Sequence, residues 1–137
     1  NPPDLIACDT ETKGGQITCL GFAPSRSAAI VIPFYDPKAA GKSFWQSPQE
    51  ELRAWQLIAQ VLESEIPKVF QNGLYDFQYI LPMGIKLVNC TEDTMLLHHS
   101  ILPEVKKGLG FLGSIYTSEP AWKLMRLEKA DTEKRDE

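Results

Sequence analysis

Hydrophobic and polar positions alternate in short runs near the start of the chain, which is typical of β-strands. Leu5–Cys8 is a short apolar run, Gln16–Phe22 alternates polar and apolar residues, and Ala28–Phe34 is mostly apolar again. Gly14 and Gly15 separate the first two runs and indicate a turn. Three strands joined by short turns predict an antiparallel meander.

A helical pattern follows the loop at 35–47. Ser47, Pro48 and Glu50 occupy the spacing of an N-cap, the first helical position and the third, which is a capping box. The apolar residues that then recur on one helical face are Leu52, Trp55, Ile58, Ala59, Leu62 and Ile66. Pro67 marks the predicted end of this helix.

The remaining pattern alternates short strands with helices. In order, these predicted elements are a strand at Val69–Phe70, a helix at Leu74–Met83, a strand at Leu87–Val88, and helices at Thr94–Leu102 and Gly108–Tyr116. Asp93 has the position of the N-cap of the helix that follows it. A meander followed by alternating strands and helices predicts an α/β fold, with helices on the faces of a mixed sheet.

Composition narrows the class of protein. The 137 residues predict a single domain at 1–137, and the start at Asn1 indicates a fragment or a processed chain. Cys8, Cys19 and Cys90 are an odd number at unrelated spacings, so we expect reduced cysteines in an intracellular, cytoplasmic protein. The sequence shows no signal peptide and no membrane span. The formal net charge of −4 disfavours binding to duplex DNA by phosphate neutralisation alone.

The first candidate for chemistry is Asp9-Thr10-Glu11, directly after the first apolar run, at or just past the end of the predicted strand. Residues i and i+2 of a strand project from one face, so Asp9 and Glu11 would lie close together. Two such carboxylates repel each other unless a cation lies between them, and Mg²⁺ prefers oxygen ligands. Taken alone, the pair is better explained as a solvated strand end or a turn with two acidic residues.

The second candidate is the segment Gln71-Asn72-Gly73-Leu74-Tyr75-Asp76, between a predicted strand and a predicted helix. Asp76 would lie in the first helical turn, where the helix dipole favours a negative charge. The Asn72 amide, four residues upstream, would bond the backbone or a substrate phosphate. Taken alone, this segment is better explained as an N-capping region with core aromatic residues.

Together these motifs resemble those of the DEDD (DnaQ-like) 3′→5′ exonucleases. The segment 71–76 is similar to the second exonuclease motif of family A DNA polymerases, and Asp93-Thr94-Met95-Leu96 is similar to the segment that follows it there. The segments 102–112 and 116–123 resemble phage-like members of that group. The resemblance implies an RNase H-like mixed sheet and the proofreading domain of a polymerase, in the host cytoplasm if the source is a phage.

The resemblance also implies a mechanism and its residues. Two Mg²⁺ or Mn²⁺ ions would support phosphodiester hydrolysis at a single-stranded DNA 3′ end and release nucleoside monophosphates. Asp9, Glu11 and Asp76 would be the catalytic metal ligands. The residues implied to contact substrate are Thr10, Gln71, Asn72 and Tyr75. The implied partner is a covalently linked polymerase domain.

The family's fourth carboxylate has no counterpart at the expected spacing. It normally occurs as Tyr-x-x-x-Asp or His-x-x-x-x-Asp, and neither Asp131 nor Asp136 has Tyr or His at that offset. We expect Asp93 to be a helix cap rather than this ligand, and the motif to be lost by truncation at the C-terminus. Two alternatives stay open: an inactive exonuclease-like scaffold or strand-binding module, and a stand-alone RNA-processing DEDD exonuclease.

Overall fold

The computed structural model describes residues 2–120, and all structural statements concern this range. The chain divides into two compact units, Asn1–Leu97 and His98–Glu137, and each is described by itself. The elements, in chain order, are β1 (Ile6–Lys13), β2 (Gln16–Ser25), β3 (Ala28–Pro33), α1 (Pro48–Leu62), β4 (Lys68–Phe70), α2 (Gly73–Ile80) continued by a 3₁₀ turn (Leu81–Met83), β5 (Glu92–Asp93), α3 (Thr94–Ile101) and α4 (Leu109–Tyr116).

The five strands form one mixed sheet with the order β3-β2-β1-β4-β5. The first three strands pair antiparallel, which confirms the predicted meander, and β4 and β5 add to β1 in parallel. The turn between β1 and β2 has Gly14 at φ 60° and Gly15 at φ 81°. Residues with side chains rarely adopt this left-handed region, so the two glycines fit the turn.

Helix α1 begins as the sequence predicts. The Ser47 side chain accepts a hydrogen bond from the Glu50 amide at 3.2 Å, and the Glu50 carboxylate accepts one from the Ser47 amide at 3.1 Å. The helix ends at Leu62, one turn earlier than predicted. A fully buried Lys68 explains the early end, because its ammonium group donates to the Ser64 carbonyl and, at 3.0 Å, to the Val88 carbonyl.

The core of the first unit lies between α1 and the sheet. Ala54, Ile58 and Leu62 are the buried residues of α1. They belong to one cluster with residues of β1, β2, β4 and α2, namely Ile6, Cys8, Leu20, Phe22, Phe70 and Ile80. This arrangement confirms the α/β fold class.

The strand predicted at Leu87–Val88 is wrong. The Val88 amide donates to the Leu62 carbonyl at 3.0 Å, so this segment closes the C-terminal end of α1 instead of joining the sheet. The fifth strand lies later, at Glu92–Asp93, and pairs with Val69 and Phe70.

The second unit is described as far as residue 120. His98 is buried, and its Nδ1 lies 3.0 Å from the Tyr116 hydroxyl, which joins α3 to α4. Leu112 is the buried apolar residue of α4. Within the described residues no helix is long and apolar enough to cross a membrane. The single domain at 1–137 stays a prediction.

The three cysteines are free thiols, as expected. The pKa of the Cys8 thiol is raised from 9.0 to about 12, chiefly by burial, with a further contribution from the nearby Cys90. Because the thiolate is the reactive form, Cys8 is a chemically inert core residue.

Cys8 will therefore resist alkylation in the native protein. At pH 8 its thiolate fraction is about 1000-fold below that of an unperturbed thiol, so its reaction with iodoacetamide will be slower by at least that factor. Peptide mapping by mass spectrometry after timed labelling measures this, with the same protein unfolded in urea as the control. Equal rates at Cys8 in the two conditions would contradict the buried assignment.

Candidate active site

The acidic pair lies inside β1, not at its end as predicted. β1 continues to Lys13, and Asp9 and Glu11 sit opposite Gly21 and Cys19 of β2. Asp9 and Glu11 are exposed, whereas Cys8 before them and Thr10 between them are buried. The two carboxylates therefore share one face of the strand, which confirms that part of the sequence argument.

Thr10 connects this strand to α2. β4 pairs with β1 only at Ile6 and Ala7, so β1 runs on without a strand neighbour on that side. The Asp76 carboxylate supplies the hydrogen-bond acceptor on that side. Its Oδ1 accepts hydrogen bonds from the Thr10 amide at 2.8 Å and from the Thr10 hydroxyl at 2.6 Å. The first turn of α2 is fixed in this way against the middle of β1.

The Asp76 carboxylate is held where its charge is unfavourable. The residue is only 2% exposed, and burial is the largest cause that raises the pKa of Asp76 above its usual value. The hydrogen bonds from Thr10 lower this pKa in part, and the negative charge of Asp9 raises it again. Asp9 and Asp76 are therefore electrostatically coupled across the edge of β1.

The start of α2 depends on a second carboxylate. Asp93 accepts hydrogen bonds from the Asn72 amide at 3.1 Å and the Gly73 amide at 2.7 Å, and also from Met95 and Leu96 at the start of α3. The predicted cap of α3 is confirmed, and the same side chain caps α2 as well. A Cβ atom at Gly73 would lie 2.9 Å from the Phe70 Cβ, so only glycine fits there.

The predicted substrate residues of this segment take different places. Asn72 is exposed in a left-handed conformation (φ 61°), and its side chain makes no cap hydrogen bond. The Gln71 side chain accepts a hydrogen bond from the Thr94 hydroxyl. Tyr75 is 43% exposed, and its hydroxyl shares a hydrogen bond with that of Thr12. Contact of Gln71, Asn72 and Tyr75 with substrate stays a prediction.

The assignment of Thr10 needs a correction. Its side chain is 5% exposed and faces away from Asp9 and Glu11, and its hydroxyl is committed to Asp76. Thr10 is therefore a positioning residue for Asp76 and not a contact for substrate. Thr12, which joins β1 to Tyr75, is a further positioning residue that sequence reasoning missed, because nothing local distinguishes it from any strand threonine.

The three carboxylates supply oxygen atoms only, which suits Mg²⁺. Over residues 2–120, however, no group of three or more His, Cys, Asp and Glu side chains is gathered closely enough to hold a metal ion. Asp9 and Asp76 are near enough to perturb each other, and Glu11 shares the face of Asp9. The donor chemistry fits a divalent cation, but these residues alone do not complete its site. Asp131 and Asp136 lie outside the described residues.

Comparison with known proteins identifies the fold. No protein-family model and no curated protein matches the sequence. Brucella melitensis NrnC has a similar structure, with a TM-score of 0.59 and 18% identity over 89% of this chain and 57% of NrnC. The structure of NrnC with bound Mg²⁺ matches with a TM-score of 0.59 and 19% identity, over 90% of this chain and 62% of NrnC. The chain shares the α/β fold of these proteins, a mixed five-stranded sheet with flanking helices.

A polymerase is also among the similar structures. The POL domain of Pol1 from M. smegmatis, in complex with DNA primer-template and dNTP, matches with a TM-score of 0.56 and 18% identity. The match covers 81% of this chain and 18% of Pol1. The chain thus spans less than two thirds of NrnC and less than a fifth of Pol1, and the shared property is the RNase H-like fold.

Substitutions at Asp76 will separate its charge from its hydrogen bonds. Asp76→Asn keeps an oxygen for Thr10 and removes the buried charge, so its free energy of unfolding at pH 7 will equal or exceed that of the wild type. Asp76→Ala leaves the Thr10 amide and hydroxyl without that acceptor, and will lose about 1–3 kcal/mol. Urea unfolding followed by circular dichroism measures both.

The same variants give a pH dependence with a defined sign. The pKa of Asp76 is higher in the folded state, so the native protein binds more protons between the unfolded and folded pKa values. Its free energy of unfolding therefore falls as pH rises through that window. The advantage of Asp76→Asn will shrink as pH is lowered from 7 towards about 4, the ordinary range of Asp. An advantage that grows towards acid pH would contradict this assignment.

Asp93→Ala will destabilise two helix starts at once. The substitution removes the acceptor for four backbone amides, and we expect a loss of about 2–3 kcal/mol, more than a single cap contributes. Asp36→Ala is the matched control, because the Asp36 carboxylate accepts from the Lys38 amide in an exposed turn. Equal losses for the two variants would show that Asp93 caps only one helix.

Proposed function

We propose that this chain is a metal-dependent 3′→5′ exonuclease domain. The observation that carries the proposal is the buried Asp76 carboxylate, fixed by Thr10 at the edge of β1 and coupled to Asp9. Burial without a counter-charge is costly for a carboxylate, and a bound divalent cation would offset that cost. The DEDD exonuclease-like fold supports this use of the site.

Asp9, Glu11 and Asp76 would hold Mg²⁺ or Mn²⁺. When bound, two such ions supply an activated water and charge stabilisation for the leaving 3′-oxygen. The chain's own residues do the positioning: Thr10 orients the Asp76 carboxylate. The NrnC structure with bound Mg²⁺ supports a divalent ion in this fold.

The proposed substrate is the 3′ end of single-stranded DNA. Exposed Asn72 and Tyr75 lie at the start of α2 beside the carboxylates, where they would contact the terminal nucleotides. A phosphodiester end with unpaired bases suits exposed aromatic side chains, because every base can stack on them. The proposed context is proofreading by a phage-like family A polymerase linked to this domain.

A fourth carboxylate is part of the proposal. Since the described carboxylates do not by themselves complete a metal site, we place the missing ligand in a Tyr-x-x-x-Asp motif of the parent polypeptide. We expect weak metal affinity and little activity from the 137 residues alone.

Two rival functions have specific support. NrnC and the Pol1 POL domain match with similar TM-scores, so the similar structures favour a proofreading domain no more than a stand-alone exonuclease that processes RNA. The absence of a gathered metal cluster in residues 2–120 supports an inactive strand-binding module. Comparing the cleavage of DNA and RNA oligonucleotides of the same sequence distinguishes the RNA-processing function from the DNA exonuclease, since the two substrates differ at the 2′-hydroxyl.

The decisive test is cleavage of 5′-labelled single-stranded oligonucleotides by the parent polypeptide. We expect stepwise shortening from the 3′ end with Mg²⁺ or Mn²⁺, none with EDTA, and a rate about 1000-fold slower for Asp9→Asn because a metal ligand would be lost. Glu104→Gln, an exposed acidic residue of the second unit, is the control and will keep the rate.

Each alternative has its own outcome in this assay. Faster shortening of the RNA strand identifies the RNA-processing function. No shortening of either strand, together with no Tyr-x-x-x-Asp downstream in the parent gene, identifies the inactive module. An unchanged rate in Asp9→Asn would disprove the site.

A further inference from the structure

A cleft of about 660 Å³ opens beside the C-terminal end of β1, within the first unit. Its wall includes residues from the end of β1 (Lys13), the loop after β3 (Tyr35, Lys42), helix α1 (Trp55) and the last turn of α2 (Tyr79), together with residues of β2 and of the 3₁₀ turn. The volume falls in the range of roughly 300–1,000 Å³ that is usual for ligand pockets.

Aromatic rings line this cleft and are held in place by their neighbours. Trp55 stacks on buried Phe34, with ring centroids 4.0 Å apart and planes tilted by 17°. Tyr79 lies 5.3 Å from the Tyr75 ring. Flat side chains whose positions are fixed by packing lose little freedom when a planar ligand stacks on them.

The charge at the cleft is opposite in sign to that of the molecule. Lys13 lies with its ammonium nitrogen 5.4 Å from the centre of the Tyr35 ring, and Lys42 also lines the cleft. Glu51 is the acidic residue of the lining, and its carboxylate accepts a hydrogen bond from Ser43 at 3.0 Å. Two lysines against one glutamate, in a chain of net charge −4, favour an anionic ligand at this place.

The lining of the cleft includes residues from the two elements that carry the candidate active site, β1 and α2. Lys13 follows Glu11 by two residues, which is about 7 Å along a strand. Tyr79 lies one helical turn after Asp76, and its hydrogen bond with Tyr75 raises the pKa of Tyr79 above its usual value. Tyr75 in turn bonds Thr12 of β1. A single-stranded nucleic acid whose 3′ end lies at Asp9 and Asp76 would reach the cleft by passing Tyr75 and Tyr79.

We propose that this cleft is a second subsite, which binds an upstream nucleotide of a single-stranded nucleic acid by stacking on Trp55 and Tyr79 and by phosphate contact with Lys13. The identity of the ligand rests on the proposed exonuclease function. Planar aromatic walls with a basic rim are the combination that binds single strands without regard to sequence. The subsite acts in binding and has no part in the chemistry.

The test is a titration of the ¹⁵N-labelled 137-residue chain with the octamer (dT)₈ in EDTA, followed by NMR. The Trp55 indole resonance, assigned with Trp55→Phe, will shift on binding. Tyr79→Leu will weaken the affinity about tenfold, within the range measured for loss of one stacking residue. Lys13→Gln will weaken it about threefold and reduce the salt dependence by about one phosphate contact.

Matched controls separate stacking from charge. Lys38→Gln removes an exposed lysine from the loop after β3. Lys38 does not line the cleft, so this variant will keep the affinity. An octamer of abasic residues keeps the phosphates and lacks the bases, so Tyr79→Leu will not change its affinity. An unmoved Trp55 resonance at saturating (dT)₈, or equal effects of Lys13→Gln and Lys38→Gln, would overturn the subsite.

The outcome of this binding experiment is independent of the outcome of the cleavage assay. Binding in EDTA needs no metal, so this titration measures the subsite apart from the chemistry. Oligonucleotide binding that leaves Trp55 unmoved disproves the subsite and leaves the exonuclease proposal standing. Binding at the cleft without cleavage by the parent polypeptide disproves the exonuclease and leaves the subsite standing.

Discussion

The contact between Asp76 and Thr10 is the constraint on which the rest of the first unit depends. β4 stops pairing with β1 after Ala7, and β1 continues to Lys13. A buried backbone amide without an acceptor costs about as much as a lost hydrogen bond. Asp76 satisfies the Thr10 amide and hydroxyl together, so α2 must begin where its first turn reaches that edge. The placement of Tyr75 and Tyr79 follows from it.

The buried charge of the Asp76 carboxylate lowers the stability of the fold, and this cost indicates a function for the charge. A neutral side chain could accept the same two bonds without a buried charge, yet the position holds a carboxylate whose pKa is raised by burial and by Asp9. Perturbed carboxylates in close pairs are typical of catalytic sites, although ion-pair networks also produce them. The exposed face of β1 adds Glu11 to the pair, so negative charge is concentrated at this edge of the strand.

Local signals in the sequence predicted the parts of the fold that depend on local physics. The capping box at Ser47 and the position of Asp76 in a first helical turn are set by neighbours in the chain, and both were correct. The end of α1 was wrong because the buried ammonium of Lys68 decides it from a different element. The role of Thr10 was wrong for the same kind of reason: its partner lies 66 residues away. Side-chain contacts between distant segments leave no periodic pattern of hydrophobic and polar residues in the sequence.

Asp93 has a consequence for how this sequence can diverge. One carboxylate holds the amides of Asn72 and Gly73 on one side and of Met95 and Leu96 on the other, so the chain between them is a closed loop pinned at its base. The free energy of closing a loop rises only slowly with its length. Residues could be inserted near Gly84, which is exposed and ends the 3₁₀ turn, without displacing the first turn of α2. The tip of the loop is therefore free to change while its base stays fixed.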